Sequence, residues 1–153
     1  MIRQLPISLN ACHKSDVRSQ FAALCWRLRG DAPEILLITT RGTGRWIVPK
    51  GWPMDGMTPA ASAAQEAWEE AGVIGTPAEE CLGLYSYTKK VADGAAVPCL
   101  VMVYPVRVGE LREDFPEKGQ RRRDWFSPPE AALRVREAAL AQIIGGFDPG
   151  ALS

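Results

Sequence analysis

The stretch Gly51-Trp-Pro-Met-Asp-Gly-Met-Thr-Pro-Ala-Ala-Ser-Ala-Ala-Gln-Glu-Ala-Trp-Glu-Glu-Ala-Gly-Val73 reads as a turn-rich loop feeding a helix with clear boundaries. Thr58 suits the N-cap, where its hydroxyl accepts one of the first free amide hydrogens. Pro59 suits the first helical position, where a missing N–H costs nothing. Gly72 suits the left-handed residue just past the end. The residues between are mostly good helix formers. On a 3.6-residue wheel Ala60, Ala64, Ala67 and Ala71 share one side, small enough for close approach to a sheet. Glu66, Glu69 and Glu70 gather on the other, at i, i+3 and i+4.

Three acids in the last turns of a helix are poorly placed. Like charges at this spacing repel by roughly 0.2–0.5 kcal/mol per pair. The helix dipole disfavours exposed anions there by about 0.3–1 kcal/mol each. A divalent cation would explain the choice, because clustered carboxylate oxygens suit Mg²⁺ or Mn²⁺. A solvated acidic face is the plainer alternative.

The loop in front of the helix favours the metal. Gly51 to Val73 resembles the Nudix box, Gly-x5-Glu-x7-Arg-Glu-U-x-Glu-Glu-x-Gly-U with U a bulky apolar residue, and Gly51, Glu66, Glu69, Glu70, Gly72 and Val73 stand at matching positions. Met57 replaces the first glutamate, Gln65 replaces the arginine, and Ala67 is smaller than the usual U residue. Arg45-Trp-Ile-Val-Pro-Lys-Gly51 and Gly119-Gln-Arg-Arg-Arg-Asp-Trp-Phe126 look like the diphosphoinositol-polyphosphate and diadenosine-polyphosphate branch of that family. The resemblance implies a Nudix fold, an α/β/α sandwich with a mixed β-sheet. It implies that Glu66, Glu69 and Glu70 carry Mg²⁺, or Mn²⁺, with the main-chain carbonyl of Gly51, and that water attacks a phosphoanhydride. The proton acceptor would be Glu69 or Glu70, or an acid of the later loop such as Glu113 or Glu117.

The remaining chain agrees with one domain. Its 153 residues suffice for one core and are few for two, so residues 1–16 read as a lead-in and 17–153 as a single domain. Eighteen basic residues balance eighteen acidic ones, so no global field argues for a nucleic acid polymer or a membrane surface. Cys12, Cys25, Cys81 and Cys99 form no CxxC pair and read as reduced, buried thiols of a cytoplasmic protein. No apolar run is long enough to span a bilayer. His13, the only histidine, reads as a surface residue of the lead-in. Strands are expected over 17–27, 35–40, 46–48, 81–90, 97–108 and 122–126, with turns at 28–34 and 75–77. Pro105 argues for an edge or bulge in the 97–108 strand. Ser127-Pro-Pro-Glu130 marks a short helix, and a last helix is expected over 136–144.

The basic residues fit a phosphate-rich ligand. Arg18, Arg41, Arg45, Lys50, Lys89 and Arg123 lie near expected strand ends or loops, where arginine forks and lysine point charges suit phosphate. Ordinary surface charge is the competing explanation for any one of them. Alternation puts Arg121 and Arg123 on one face, so the run 121–123 cannot converge on one ligand. Of the five tryptophans, Trp52, in the loop after the box glycine, is the candidate to line a pocket. The favoured reading is thus a Mg²⁺-dependent hydrolase of a dinucleoside polyphosphate or diphosphoinositol polyphosphate, with a homodimer compatible with the family. ADP-ribose or a nucleoside triphosphate is the nearer alternative substrate. A Nudix-fold binding module that has lost catalysis is the alternative of another class, motivated by Met57 and Gln65.

Overall fold

Alternation along one central strand divides the interior in two. The computed structural model describes residues 18–90, 94 and 96–152, so the lead-in with Cys12 and His13 lies outside the described residues. In β1 (Ser19–Arg29), Ala22, Leu24 and Trp26 enter one apolar cluster, and Phe21, Ala23 and Cys25 enter the other. β1 pairs antiparallel with β2 (Ala32–Thr39) and β4 (Lys50–Gly51), and parallel with β7 (Ala96–Leu111). β3 (Trp46–Ile47) and β8 (Arg123–Phe126) extend β2, whereas β5 (Val73–Pro77) and β6 (Gly83–Lys90) both lie along β7, all antiparallel. The sheet is therefore mixed.

Helices cover both faces. α1 (Pro59–Ala71) lays Ala60, Ala63, Ala67 and Ala71 on the face of Phe21, Ala23 and Cys25. Ala63, rather than Ala64, is the fully buried residue of the second turn, and Ala64 packs at the margin. α2 (Pro128–Arg134) and α3 (Ala138–Gly145) cover the other face through Ala131, Leu140 and Ile144, joined by Val135 and Phe147. The result is the three-layer α/β/α sandwich with a mixed sheet. Its helix ends follow the capping chemistry of the sequence. Thr58 Oγ1 accepts from the Ala61 amide at 3.1 Å, and Gly72, at φ +72°, donates to the Trp68 carbonyl at 3.0 Å.

Several local expectations are corrected. The 28–34 turn contracts to Gly30 and Asp31, because β1 and β2 stay paired to Arg29 and Ala32. Gly30, at φ +63°, supplies the first position of a two-residue hairpin loop. Gly75-Thr76-Pro77 is strand rather than turn: it pairs with β7 past a register shift that leaves Gly109 unpaired. The final helix starts at Ala138, two residues late. Strand β7 is not an edge. Pro105 is tolerated in its interior because it stands where the neighbour changes from β6, whose pairing stops at Val103, to β5, whose pairing starts at Val106. The Pro105 carbonyl accepts from the Ala78 amide on that side at 3.0 Å, so the absent N–H falls in the gap between the two strands. Cys25 and Cys99 are buried, but Cys81 is exposed because it precedes β6. Among the described residues no helix is long and apolar enough to cross a membrane.

Gly72 separates backbone strain from crowding. A β-carbon there meets Phe115 Cδ1 at 2.6 Å and the Arg112 carbonyl at 2.8 Å, whereas at Gly56, with φ +77°, it meets nothing within 4 Å. Both alanine variants pay about 1–2 kcal/mol for the left-handed conformation. Gly72→Ala should therefore lower the urea midpoint distinctly more than Gly56→Ala, and equal midpoints would show that the contacts around Gly72 yield freely.

Candidate active site

The site lies where the helix of acids meets the edge of β4. Glu66 and Glu70 stand one turn apart on α1 and both face that strand. The Glu66 carboxylate occupies the space into which a β-carbon at Gly51 would project, so a side chain there would displace that carboxylate. Glu70 is 8% exposed, and its Oε1 accepts from the Lys50 amide at 3.4 Å. Burial pushes the Glu66 carboxyl up to about 8, helped by the charges of Glu70, Glu69 and Glu117. Burial likewise raises Glu70 to about 7, against the pull of Arg121 and Lys50.

A fourth acid comes from the loop between β7 and β8, which wraps the end of α1. The Arg112 amide donates to the Gly72 carbonyl at 2.9 Å, and the Glu117 amide donates to the Glu69 carbonyl at 3.0 Å. That crossing brings the charge of Glu117 to bear on both Glu66 and Glu70. Glu113, its equal at the level of sequence, is 90% exposed and pairs with Arg123 at 3.2 Å.

The acids fit a cation in their chemistry without forming a finished cage. Among the described residues no three His, Cys, Asp or Glu side chains gather into a metal-binding group. Mg²⁺ does not require such a group: it retains waters and uses one or two carboxylates together with substrate phosphates. Two carboxylates, Glu70 buried and Glu66 half-buried, that burial and neighbouring acids drive toward protonation at the edge of β4, are hard-oxygen donors suited to a divalent ion.

The basic and aromatic candidates separate into distinct groups. Lys89 Nζ lies 4.8 Å from the centre of the Trp52 ring, and Lys50 Nζ lies 5.0 Å from that of Tyr87. Strand β6 thus apposes alternate residues, Tyr87 and Lys89, to Lys50 and Trp52. Burial lowers the Lys50 ammonium pKa; Arg121 and Arg45 add to this, and Glu70 and Glu137 oppose it. Arg45 is held by Glu137 at 3.0 Å. Arg41 is exposed and donates to Gln120 at 3.2 Å, while Arg18, also exposed, engages Leu100 through its backbone carbonyl. Arg123 stands apart from these: its Nη1 donates to the carbonyls of Ala71 and Arg112, each at 2.7 Å, so it ties down the end of α1 rather than opening toward a ligand. Trp26 is core, and Trp46 and Trp125 pack against the two clusters.

Two participants escaped selection by sequence. Arg121 was one member of a basic run, and only its partners distinguish it. Its side chain is 10% exposed and lies against Glu117 and Glu70. Tyr87 lay within an expected strand, with nothing local to mark it.

The raised carboxyls set a sign for pH. Below about pH 4.5 folded and unfolded chains are both protonated at Glu66 and Glu70, and the difference in proton affinity contributes its full stabilisation. As pH rises, the unfolded chain releases these protons first, and that stability is lost until the folded carboxyls ionise near 7 and 8. In EDTA the thermal midpoint should therefore carry a component that falls between about pH 5 and 8. Glu66→Gln should flatten it, which scanning fluorimetry will show, and an unchanged slope would remove Glu66 as its source.

Known proteins resemble this chain in sequence and in fold. The NUDIX domain family matches residues 18–144. A mitochondrial Nudix hydrolase 12 of Arabidopsis thaliana is 34% identical over 64% of this chain and 50% of its own length. The human diphosphoinositol polyphosphate phosphohydrolase 3-alpha is 30% identical over 74% of this chain and 66% of its own. The matched region thus spans half to two thirds of these relatives. Among solved structures, a NUDIX hydrolase from Nitrosomonas europaea aligns over 89% of this chain and 91% of its own, with TM-score 0.64 and 23% identity. The C. elegans Ap4A hydrolase aligns over 84% and 94%, with TM-score 0.58 and 18% identity. A family match across most of the chain, over a sandwich that presents Glu66 and Glu70 to β4, leaves one assignment: the chain belongs to the Nudix family.

Proposed function

We propose that this chain is a Mg²⁺-dependent Nudix pyrophosphohydrolase that cleaves a phosphoanhydride in a phosphate-rich small molecule, a dinucleoside polyphosphate ahead of a diphosphoinositol polyphosphate. The observation that carries the proposal is the apposition of Glu66 to Gly51 and of Glu70 to the Lys50 amide, both on β4. The names borne by the human and worm proteins supply the two substrate classes. The pairing of Trp52 with Lys89 and of Tyr87 with Lys50 favours the first class, because rings stack on nucleobases and the ammonium groups neutralise adjoining phosphates. An inositol ring offers no aromatic face. The described cysteines, Cys25, Cys81 and Cys99, are unpaired, which agrees with a reducing compartment such as the cytoplasm.

In this reading Glu66, Glu69 and Glu70 hold the metal with the carbonyl of Gly51. When bound, the ion offsets phosphate charge and acidifies a coordinated water. Lys50, Lys89, Arg41 and Arg45 line the approach for the remaining phosphates, and Arg18 adds positive charge at the start of β1. The proton of the attacking water passes to a carboxylate of the same cluster, Glu69, Glu70 or Glu117, since Glu113 is turned to Arg123. Met57 and Gln65, which replace a box acid and a box base, motivate the second reading, a binding module without turnover.

Phosphate-product release over a panel of diadenosine polyphosphates, ADP-ribose, nucleoside triphosphates and a diphosphoinositol phosphate tests the proposal. Turnover of a diadenosine polyphosphate should be abolished by EDTA and lowered about 100-fold or more in kcat by Glu70→Gln. Trp52→Ala should raise KM for that substrate by about fivefold or more, as loss of a stacking contact of at least about 1 kcal/mol requires. Silence across the panel with Mg²⁺-dependent binding of one member would establish the module instead.

A further inference from the structure

Arg121 has a setting unlike that of the other basic residues near the site. Its Nε donates to Glu117 Oε1 at 3.2 Å, its Nη1 donates to the Thr39 carbonyl at 3.1 Å, and its Nη2 stands 3.9 Å from Glu70 Oε1. One guanidinium thus joins the end of β2, the wrapping loop and α1. Its backbone is anchored as well. The amide of the next residue, Arg122, donates to Thr39 Oγ1 at 2.9 Å, and the Arg122 carbonyl accepts from the Thr39 amide at 3.0 Å. Thr39 is buried.

The helix that carries the acids has no cation of its own. Between Pro59 and Ala71 it contains neither lysine nor arginine, and Gln65 stands at the arginine position of the box. Among the described residues no other basic side chain forms an ion pair with Glu66, Glu69 or Glu70. We propose that Arg121 is a positioning residue: its planar fork, fixed on Thr39, orients Glu70 and Glu117 relative to each other and supplies from outside the helix the cation that Gln65 cannot. Two arms already committed to protein oxygens distinguish this role from capture of a substrate phosphate. The kinetic part of the test rests on the hydrolase reading; the metal-binding part does not.

Arg121→Lys keeps the charge and loses the fork. Mn²⁺ titration followed by electron paramagnetic resonance, without substrate, should show affinity about tenfold or more below wild type, the usual scale for losing a partner that orients a metal ligand. With whichever panel member wild type hydrolyses, kcat should fall about 10–100-fold while KM stays within about threefold. Glu117→Gln should produce part of the loss, and adding Arg121→Lys to it should cost less than the sum of the two. A rise in KM with kcat retained would overturn the proposal in favour of a phosphate contact. Unchanged Mn²⁺ affinity and kcat, with only a lower thermal midpoint, would reduce Arg121 to a structural tie. Wild type inactive on the whole panel would remove the hydrolase reading alone, and the Mn²⁺ titration of Arg121→Lys would still decide the positioning role.

Discussion

The space left by the missing side chain of Gly51 is the constraint from which the site follows. Glu66 fills that space, so α1 sits on the sheet with Glu66 and Glu70 against β4 instead of in solvent. The row of alanines on the opposite side of the helix permits the same approach, since larger residues would hold α1 away from Phe21, Ala23 and Cys25. Close packing and electrostatic tension are thus two consequences of one geometry. Carboxylates brought this near to each other and to apolar surface resist ionisation until a cation or a proton answers them.

That tension is contained by the loop between β7 and β8. The loop brings one more acid, Glu117, to the cluster, and it brings Arg121 to oppose it. Arg123, two residues on, faces the same side but closes the carboxyl end of α1 by donating to the Ala71 carbonyl. Arg122 points the other way, its guanidinium 5.4 Å from the Trp46 ring. Three consecutive arginines thus serve three separate ends: the acid cluster, a tryptophan of β3 that packs on the sheet's other face, and a helix terminus. A run that looks like a single basic patch is divided by strand geometry alone.

Much of this was legible in the chain. Thr58, Pro59 and Gly72 announced the helix because capping is local chemistry, settled by residues within a few positions of one another. The periods of the apolar residues announced a sheet covered by helices. Turn boundaries were less legible. Gly75 and Pro77 carry turn character, yet they lie in a strand because β7 offers them partners. Pro105 carries the character of an edge, yet it sits in the middle of the sheet because two different neighbours meet beside it. In each case pairing with a distant segment overrode a local preference.

The sequence by itself determined the acid-bearing helix, because spacing and capping act within a few residues, and its resemblance to the Nudix box singled out Gly51 and implied the layered architecture. Only the tertiary structure decided which of the later acids reaches the cluster and which of the arginines opposes it. Glu113 and Glu117 differ by four positions in one polar loop, and Arg121 and Arg123 by two in one basic run. Their roles depend on where the loop crosses α1, a contact between segments more than forty residues apart, as in the bond from the Glu117 amide to the Glu69 carbonyl. The same holds for Trp52 and Lys89, which β6 brings face to face across the sheet. Local chemistry names the parts of such a site, and the chain's return on itself selects among equivalent ones.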